Sequence, residues 1–121
     1  MQITIWNVNS VNARIDHLIK FIISNQSDIY MLQELKSTEE NFPKVRIEEL
    51  GYNCYINGQK AWNGVAILSK KKLNITNNQI PGYEDDNARF LETEINLSKI
   101  KKKIKLINIY LPNGNPIETE K

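Results

Sequence analysis

The apolar residues in the first 33 positions change period twice, and this constrains the fold more than any other feature. Residues 2–6 alternate apolar and polar around β-branched Ile3 and Ile5, as a half-buried strand does. Residues 11–25 then place Val11, Ile15, Leu18, Ile19 and Ile22 on one helical stripe, behind Asn9 and Ser10 as N-cap candidates. Residues 28–33 return to an unbroken apolar run, which predicts a strand covered on both faces. Further on, Pro43 opens a short helix as an N1 proline and Gly51 closes it. Strands are expected at 52–56, 64–69, 89–96 and 104–111, the last two forming a hairpin through the lysine-rich "LSKIKKKIK". The stretch "NNQIPGYEDDN", 77–87, reads as a long polar loop. The order β-α-β-α-β-β-β-β indicates an α/β fold, a mixed sheet with helices on one face.

A chain of 121 residues is expected to form one domain, burying about two-thirds of the surface its unfolded form exposes. With 40% apolar and 25% charged residues it lacks the composition of a disordered chain. A net charge of +2 does not by itself argue for nucleic acid, although lysines cluster at 70–72 and 99–105. The single Cys54 has no partner for an internal disulfide and fits a reducing, cytoplasmic location. No export signal is expected at the N-terminus, and no apolar run approaches the ~20 residues of a membrane span.

Two strands end abruptly on polar groups. "IYMLQELK" (29–36) stops on Gln33 and Glu34, and "ITIWNVNS" (3–10) meets Asn7 and Asn9. In open α/β sheets functional groups gather just past the carboxyl ends of strands. Asn7, Glu34, and Tyr110 with Asn113 would converge on one rim if their strands lay side by side. A carboxylate beside carboxamides suits a hard cation such as Mg²⁺, which takes oxygen ligands and keeps several waters. Amide and phenol donors suit phosphate oxygens. The pattern alone is equally that of a solvated residue following a buried strand.

Five blocks decide between these readings. "WNVNS" (6–10), "LQELK" (32–36), "GQKAWNGVAILSK" (58–70), "PGYEDDNAR" (81–89) and "NIYLPNGNP" (108–116) occur in that order. Together they resemble the exonuclease III family of Mg²⁺-dependent DNA-repair nucleases, apurinic/apyrimidinic endonucleases of the endonuclease/exonuclease/phosphatase superfamily. The resemblance covers essentially the whole chain. It implies hydrolysis of phosphodiester bonds at abasic sites and 3′ ends of duplex DNA, with Mg²⁺ or Mn²⁺ as cofactor. By position, Glu34 matches the family's metal-binding glutamate, and Asn7 the asparagine of the metal and phosphate site. Tyr110 matches the tyrosine that touches the scissile phosphate, and Asn113 a polar residue of the same site in some relatives. Lys36 matches a lysine of electrostatic support and Arg89 an arginine ahead of a strand. Trp62 stands where relatives carry an aromatic or histidine in a DNA-facing loop, where stacking on bases is possible.

The match departs from the family at two points. Asn12 replaces an arginine that can contact the DNA backbone, which should lower the salt slope of binding by about one unit. The family domain is roughly twice as long, and its second half holds the aspartates, asparagine and histidine that orient water and leaving group. His17, off the apolar stripe of its helix, reads as an exposed histidine and no substitute. The resemblance therefore implies the N-terminal half of a four-layer α/β/β/α sandwich, mostly antiparallel and inactive alone, with a separate C-terminal half as a further partner. Such sandwiches pack two sheets about 10 Å apart. This chain is expected to supply one sheet and to expose an apolar patch from alternate residues of 64–69 and 104–111.

Simpler readings apply to the remaining features. The lysines at 99–105 suit a solvated hairpin with charged residues guarding an edge, Lys70–Lys72 a polar turn, Asp85 and Asp86 an acidic loop, and Cys54 a core position. Besides the nuclease, two functions are compatible with the sequence. One is a non-catalytic nucleic-acid-binding remnant or decayed gene product. The other is a phosphatase acting on a small phosphoester, which the blocks at 58–70 and 108–116 disfavour.

Overall fold

The computed structural model describes residues 1–82, 86–97 and 101–112. The elements are β1 (Ile3–Asn7), α1 (Ile15–Asn25), β2 (Ile29–Gln33), α2 (Lys44–Glu48), β3 (Asn53–Asn57), β4 (Val65–Ser69), β5 (Asn74–Asn77), β6 (Phe90–Leu97) and β7 (Lys102–Ile109). The predicted helix at 11–25 begins late. Residues 11–14 form a turn, closed by the Arg14 amide on the Ser10 carbonyl, and α1 starts at Ile15 without a side-chain cap. Asn9 and Ser10 fail as caps because they bend the chain out of β1, with φ of 45° and 83°. Pro43 sits one position earlier than expected, at the N-cap of α2, while Gly51 has the positive φ of 91° expected after a helix.

The seven strands form two sheets rather than one. A four-stranded sheet runs β1-β2-β4-β3, with β1 and β2 parallel and the other pairs antiparallel. An antiparallel three-stranded sheet runs β5-β6-β7. Val11 of the turn and Leu18 and Ile22 of α1, with Ile47 of α2, bury one face of the larger sheet at Tyr30, Leu32, Ala66 and Leu68. The opposite face, Ile29, Met31, Val65 and Ile67, packs on Leu91, Ile95 and Leu106 of the smaller sheet. The layers are therefore helix, sheet, sheet.

This arrangement corrects one expectation. The face of strand 64–69 predicted to be an exposed apolar patch is buried throughout β4, because the chain supplies its own second sheet. Within the other expected stretch, 104–111, Ile104, Ile107 and Ile109 of β7 are exposed, and Ile3 and Ile5 of β1 are exposed as well. Both strands are sheet edges.

Candidate active site

Strand directions bring every candidate element to one rim. β1 and β2 are parallel, so Asn7 and Gln33 end side by side in register. β4 is antiparallel to β2, which places its first residue, Val65, opposite Gln33. In the smaller sheet Phe90 opens β6 opposite Ile109, which closes β7. The rim thus gathers the residues after β1, β2, β3 and β7 and those before β4 and β6.

Convergence occurs across the two sheets, not along one. Tyr110 directly follows β7, packs its ring on the inter-sheet core and donates its hydroxyl to Glu34 Oε1 at 2.5 Å. Burial and the neighbouring Glu34 carboxylate push the Tyr110 hydroxyl up to about 12, opposed by the Arg89 charge. The phenol therefore stays a proton donor through neutral pH.

Asn108 fixes the spacing beneath this pair. It is 1% exposed and points between the sheets. Its Nδ2 donates to the carbonyls of Leu32 (3.0 Å) and Ala66 (2.9 Å), and its Oδ1 accepts from Gln33 Nε2 at 3.0 Å. One side chain of the small sheet is thereby fastened to two strands of the large one.

The backbone aims Glu34. Its φ is 53° and that of Lys36 is 51°, a left-handed conformation disfavoured for residues other than glycine. Four main-chain bonds hold the segment there. The Ser10 amide donates to the Glu34 carbonyl, the Val11 amide to the Leu35 carbonyl, the Leu35 amide to the Gly64 carbonyl, and the Lys36 amide to the Asn63 carbonyl, at 2.9, 2.9, 3.1 and 2.9 Å. The Lys36 ammonium reaches Asn9 Oδ1 at 2.7 Å, and Asn7 Oδ1 accepts the Asn9 amide at 3.1 Å.

Each expected residue can now be placed. Glu34 and Tyr110 are bonded to each other, while Asn7 and Lys36 stand on the same rim through Asn9. Trp62 is 66% exposed at the tip of the β3–β4 connection. Arg89 donates from Nε to Asn63 Oδ1 at 3.2 Å, and its carbonyl accepts the Tyr110 amide. Asn12 lies in the 11–14 turn, where its side chain donates to the Asn41 carbonyl. Asn113 lies outside the described residues, as do Asp85 and Lys99. His17 is exposed, away from the Glu34–Tyr110 pair, on a groove of about 460 Å³ shared with Thr4, Ile5, Trp6 and Phe21. Cys54 is a half-buried core neighbour whose thiol burial pushes up to about 12.

Sequence reasoning noted Asn9 and Gln33 as strand-ending polar residues without giving them a role at the site, and it missed Asn108 and the carboxamides Gln59, Asn63 and Asn87. For Asn108 a signal existed. Alternation along "LINIY" puts it on the inward side with Leu106, where a polar residue needs a reason.

Among the described residues no three His, Cys, Asp or Glu side chains group to hold a metal. The rim does offer one carboxylate and several carboxamide oxygens, a donor set that fits a hard cation retaining much of its water.

The family model described as the endonuclease/exonuclease/phosphatase family matches residues 5–117. Exodeoxyribonuclease III of Haemophilus influenzae is 35% identical over 119 residues, which are 94% of this chain and 42% of that protein. The structure of a 3′-5′ exonuclease (NExo) from Neisseria meningitidis matches with a TM-score of 0.86 at 33% identity, over 98% of this chain and 44% of that one. NExo is also described as a 3′ phosphatase, in a structure bound to a product DNA hairpin. An AP endonuclease from Archaeoglobus fulgidus matches with a TM-score of 0.85 at 29% identity, over 99% of this chain and 44% of that one. The chain spans less than half the length of these relatives.

Proposed function

The chain belongs to the endonuclease/exonuclease/phosphatase family, and from that premise we propose that it carries the metal- and phosphate-holding part of a DNA-repair nuclease site. The reaction is Mg²⁺-dependent hydrolysis of phosphodiester bonds at abasic sites and 3′ ends of duplex DNA. One observation carries the reading. The hydroxyl of Tyr110 meets the carboxylate of Glu34 across two sheets, at the rim where strand ends collect. Glu34 and Asn7 would hold the ion, which when bound polarises the phosphoryl oxygen and steadies the leaving oxygen. Tyr110 gives its one hydroxyl proton to Glu34 here and would turn it to a phosphate oxygen when the carboxylate holds the ion, Lys36 adds positive charge to the rim, and Trp62 offers a face on which a base can stack.

A second reading, binding without turnover, is favoured by the donor count. The described rim gathers amide, phenol and ammonium donors that suit phosphate, and none of the residues given a role above activates water. Groups that act as a unit do not lose activity in proportion when some are removed. The 121-residue chain alone is therefore expected to turn over little, and to gain activity from a segment matching the rest of its relatives' length.

The test is incision of a duplex bearing an abasic site, in Mg²⁺, by the chain with and without the complementary segment of a relative. Incision that needs both parts and is lost in Glu34→Ala supports the nuclease. Binding without incision in either case supports the second reading. Incision by the chain alone that survives both Glu34→Ala and Tyr110→Phe would place the chemistry elsewhere.

A further inference from the structure

Trp62 is a large apolar side chain left in solvent on a loop that is nevertheless closely tethered. At the loop's start, Gly58 sits where an added Cβ would lie 2.6 Å from the Ser37 carbonyl oxygen, and the Gln59 amide donates to that oxygen at 2.9 Å. At its end, the carbonyls of Asn63 and Gly64 accept the Lys36 and Leu35 amides, and the Gly64 amide donates to Ala88. Between these ties the chain turns through positive φ at Ala61 (66°), Asn63 (54°) and Gly64 (92°). An exposed loop under no demand has no reason to hold two non-glycine residues there.

Three carboxamides interlock at the base of the loop that carries Trp62. Gln59 Oε1 accepts the Ala88 amide at 2.8 Å and Asn63 Nδ2 at 3.2 Å. Asn87 Oδ1 accepts Gln59 Nε2 and Asn63 Nδ2, both at 3.2 Å. Asn63 Oδ1 accepts Arg89 Nε at 3.2 Å, and the Arg89 carbonyl takes the Tyr110 amide at 2.8 Å. A carboxamide is both donor and acceptor, so three of them can interlock without introducing charge beside the site.

We propose that Gln59, Asn63 and Asn87 are positioning residues that hold Trp62 and Tyr110 in one fixed relation. The stacking aromatic and the phosphate donor then meet the nucleic acid as a single rigid unit. The proposal rests on the nuclease reading for its purpose, but not for its first test. None of the three residues touches the reacting atoms. Each acts through a neighbour, Asn63 through the adjacent Trp62, and Asn87 and Gln59 through Asn63 and Arg89.

The experiment uses the 121-residue chain in a Trp6→Phe background, which leaves Trp62 as the sole tryptophan of the two. Time-resolved fluorescence anisotropy reads its local motion, and circular dichroism reads the unfolding midpoint. Asn87→Leu and Gln59→Leu should each raise the fast component's amplitude about twofold, on the nanosecond scale of loop motion. Asn87→Asp keeps the acceptor oxygen and should be tighter than Asn87→Leu. Unchanged mobility in both leucine variants overturns the proposal. So does an aspartate variant as loose as Asn87→Leu, or mobility that appears only with a collapsed midpoint, which would mark a merely structural role.

The second arm measures affinity for a short duplex carrying an abasic analogue. Trp62→Ala and Asn87→Leu should each weaken it about tenfold, within the range for one stacked base, and the double variant should lose no more. Additive losses overturn the coupling. A parent that ignores the duplex removes the nuclease reading, while the anisotropy result still decides whether the unit is rigid.

Discussion

Replacing Asn108 with leucine tests the claim that one buried carboxamide sets the distance between the sheets. The side chain makes three hydrogen bonds, two donated to main-chain carbonyls of different strands and one accepted from Gln33. Each is worth ~0.5–1.5 kcal/mol net, and leucine satisfies none while leaving its former partners in place. The loss should therefore be about 3 kcal/mol. Unfolding entropy for 121 residues is ~0.25 kcal/mol per kelvin, so the midpoint should fall by about 12 °C. The control is Thr93→Val. Thr93 is buried on the same sheet, but its one recorded bond, to the Leu106 carbonyl, is a long 3.5 Å. That variant should move the midpoint by a few degrees at most. Thermal unfolding followed at a backbone wavelength reads both. An Asn108→Leu midpoint within ~2 °C of the parent would show that packing, not this bridge, joins the layers.

Glu34→Gln should abolish the weak Mg²⁺ or Mn²⁺ binding expected of a site with one carboxylate among its described residues, and a titration in which the variant binds like the parent would refute that assignment. The same substitution should lower the Tyr110 titration only part of the way from about 12, because burial is the larger cause, as ultraviolet difference spectra would show. A phenol raised above its unfolded value stabilises the fold fully below about pH 10. That contribution should disappear as pH climbs toward about 12, in the parent but not in Tyr110→Phe. Gly58→Ala should cost ~1–3 kcal/mol, since its Cβ would press on backbone atoms of residues 37–39 that cannot swing aside, and chemical denaturation would measure it. Self-association or dye binding by the chain should fall in Ile107→Lys and Ile109→Lys, which break the exposed apolar row on β7, and should be unaffected by Ile67→Val inside the core.

Local rules were enough for the elements whose pattern is dictated by burial. The stripe from Val11 to Ile22 faces the core, helical from Ile15 onward, and 29–32 is a strand buried on both faces. Rules of that kind stop where the cover comes from far along the chain. The run at 64–69 is apolar on both faces, but its pattern did not reveal that a second sheet of the same chain covers the face expected to be exposed. β5, "NITN", is short, polar and irregularly paired to β6, so nothing in its composition separates it from loop.

The candidate site divides along the same line. Asn7, Glu34 and Tyr110 stand out because polar groups at the ends of apolar strands are conspicuous. The means of aiming them is not. Glu34 occupies a left-handed conformation costing ~1–3 kcal/mol, which persists only because surrounding contacts over-determine it. Those contacts come from Ser10, Asn63 and Gly64, segments between 24 and 30 residues away in sequence. Tyr110 reaches Glu34 only because Asn108, two residues earlier, has pinned β7 to the other sheet. The candidate residues were therefore visible one by one, while their geometry is a property of four loops locking one another, and each loop taken singly reads as polar connection.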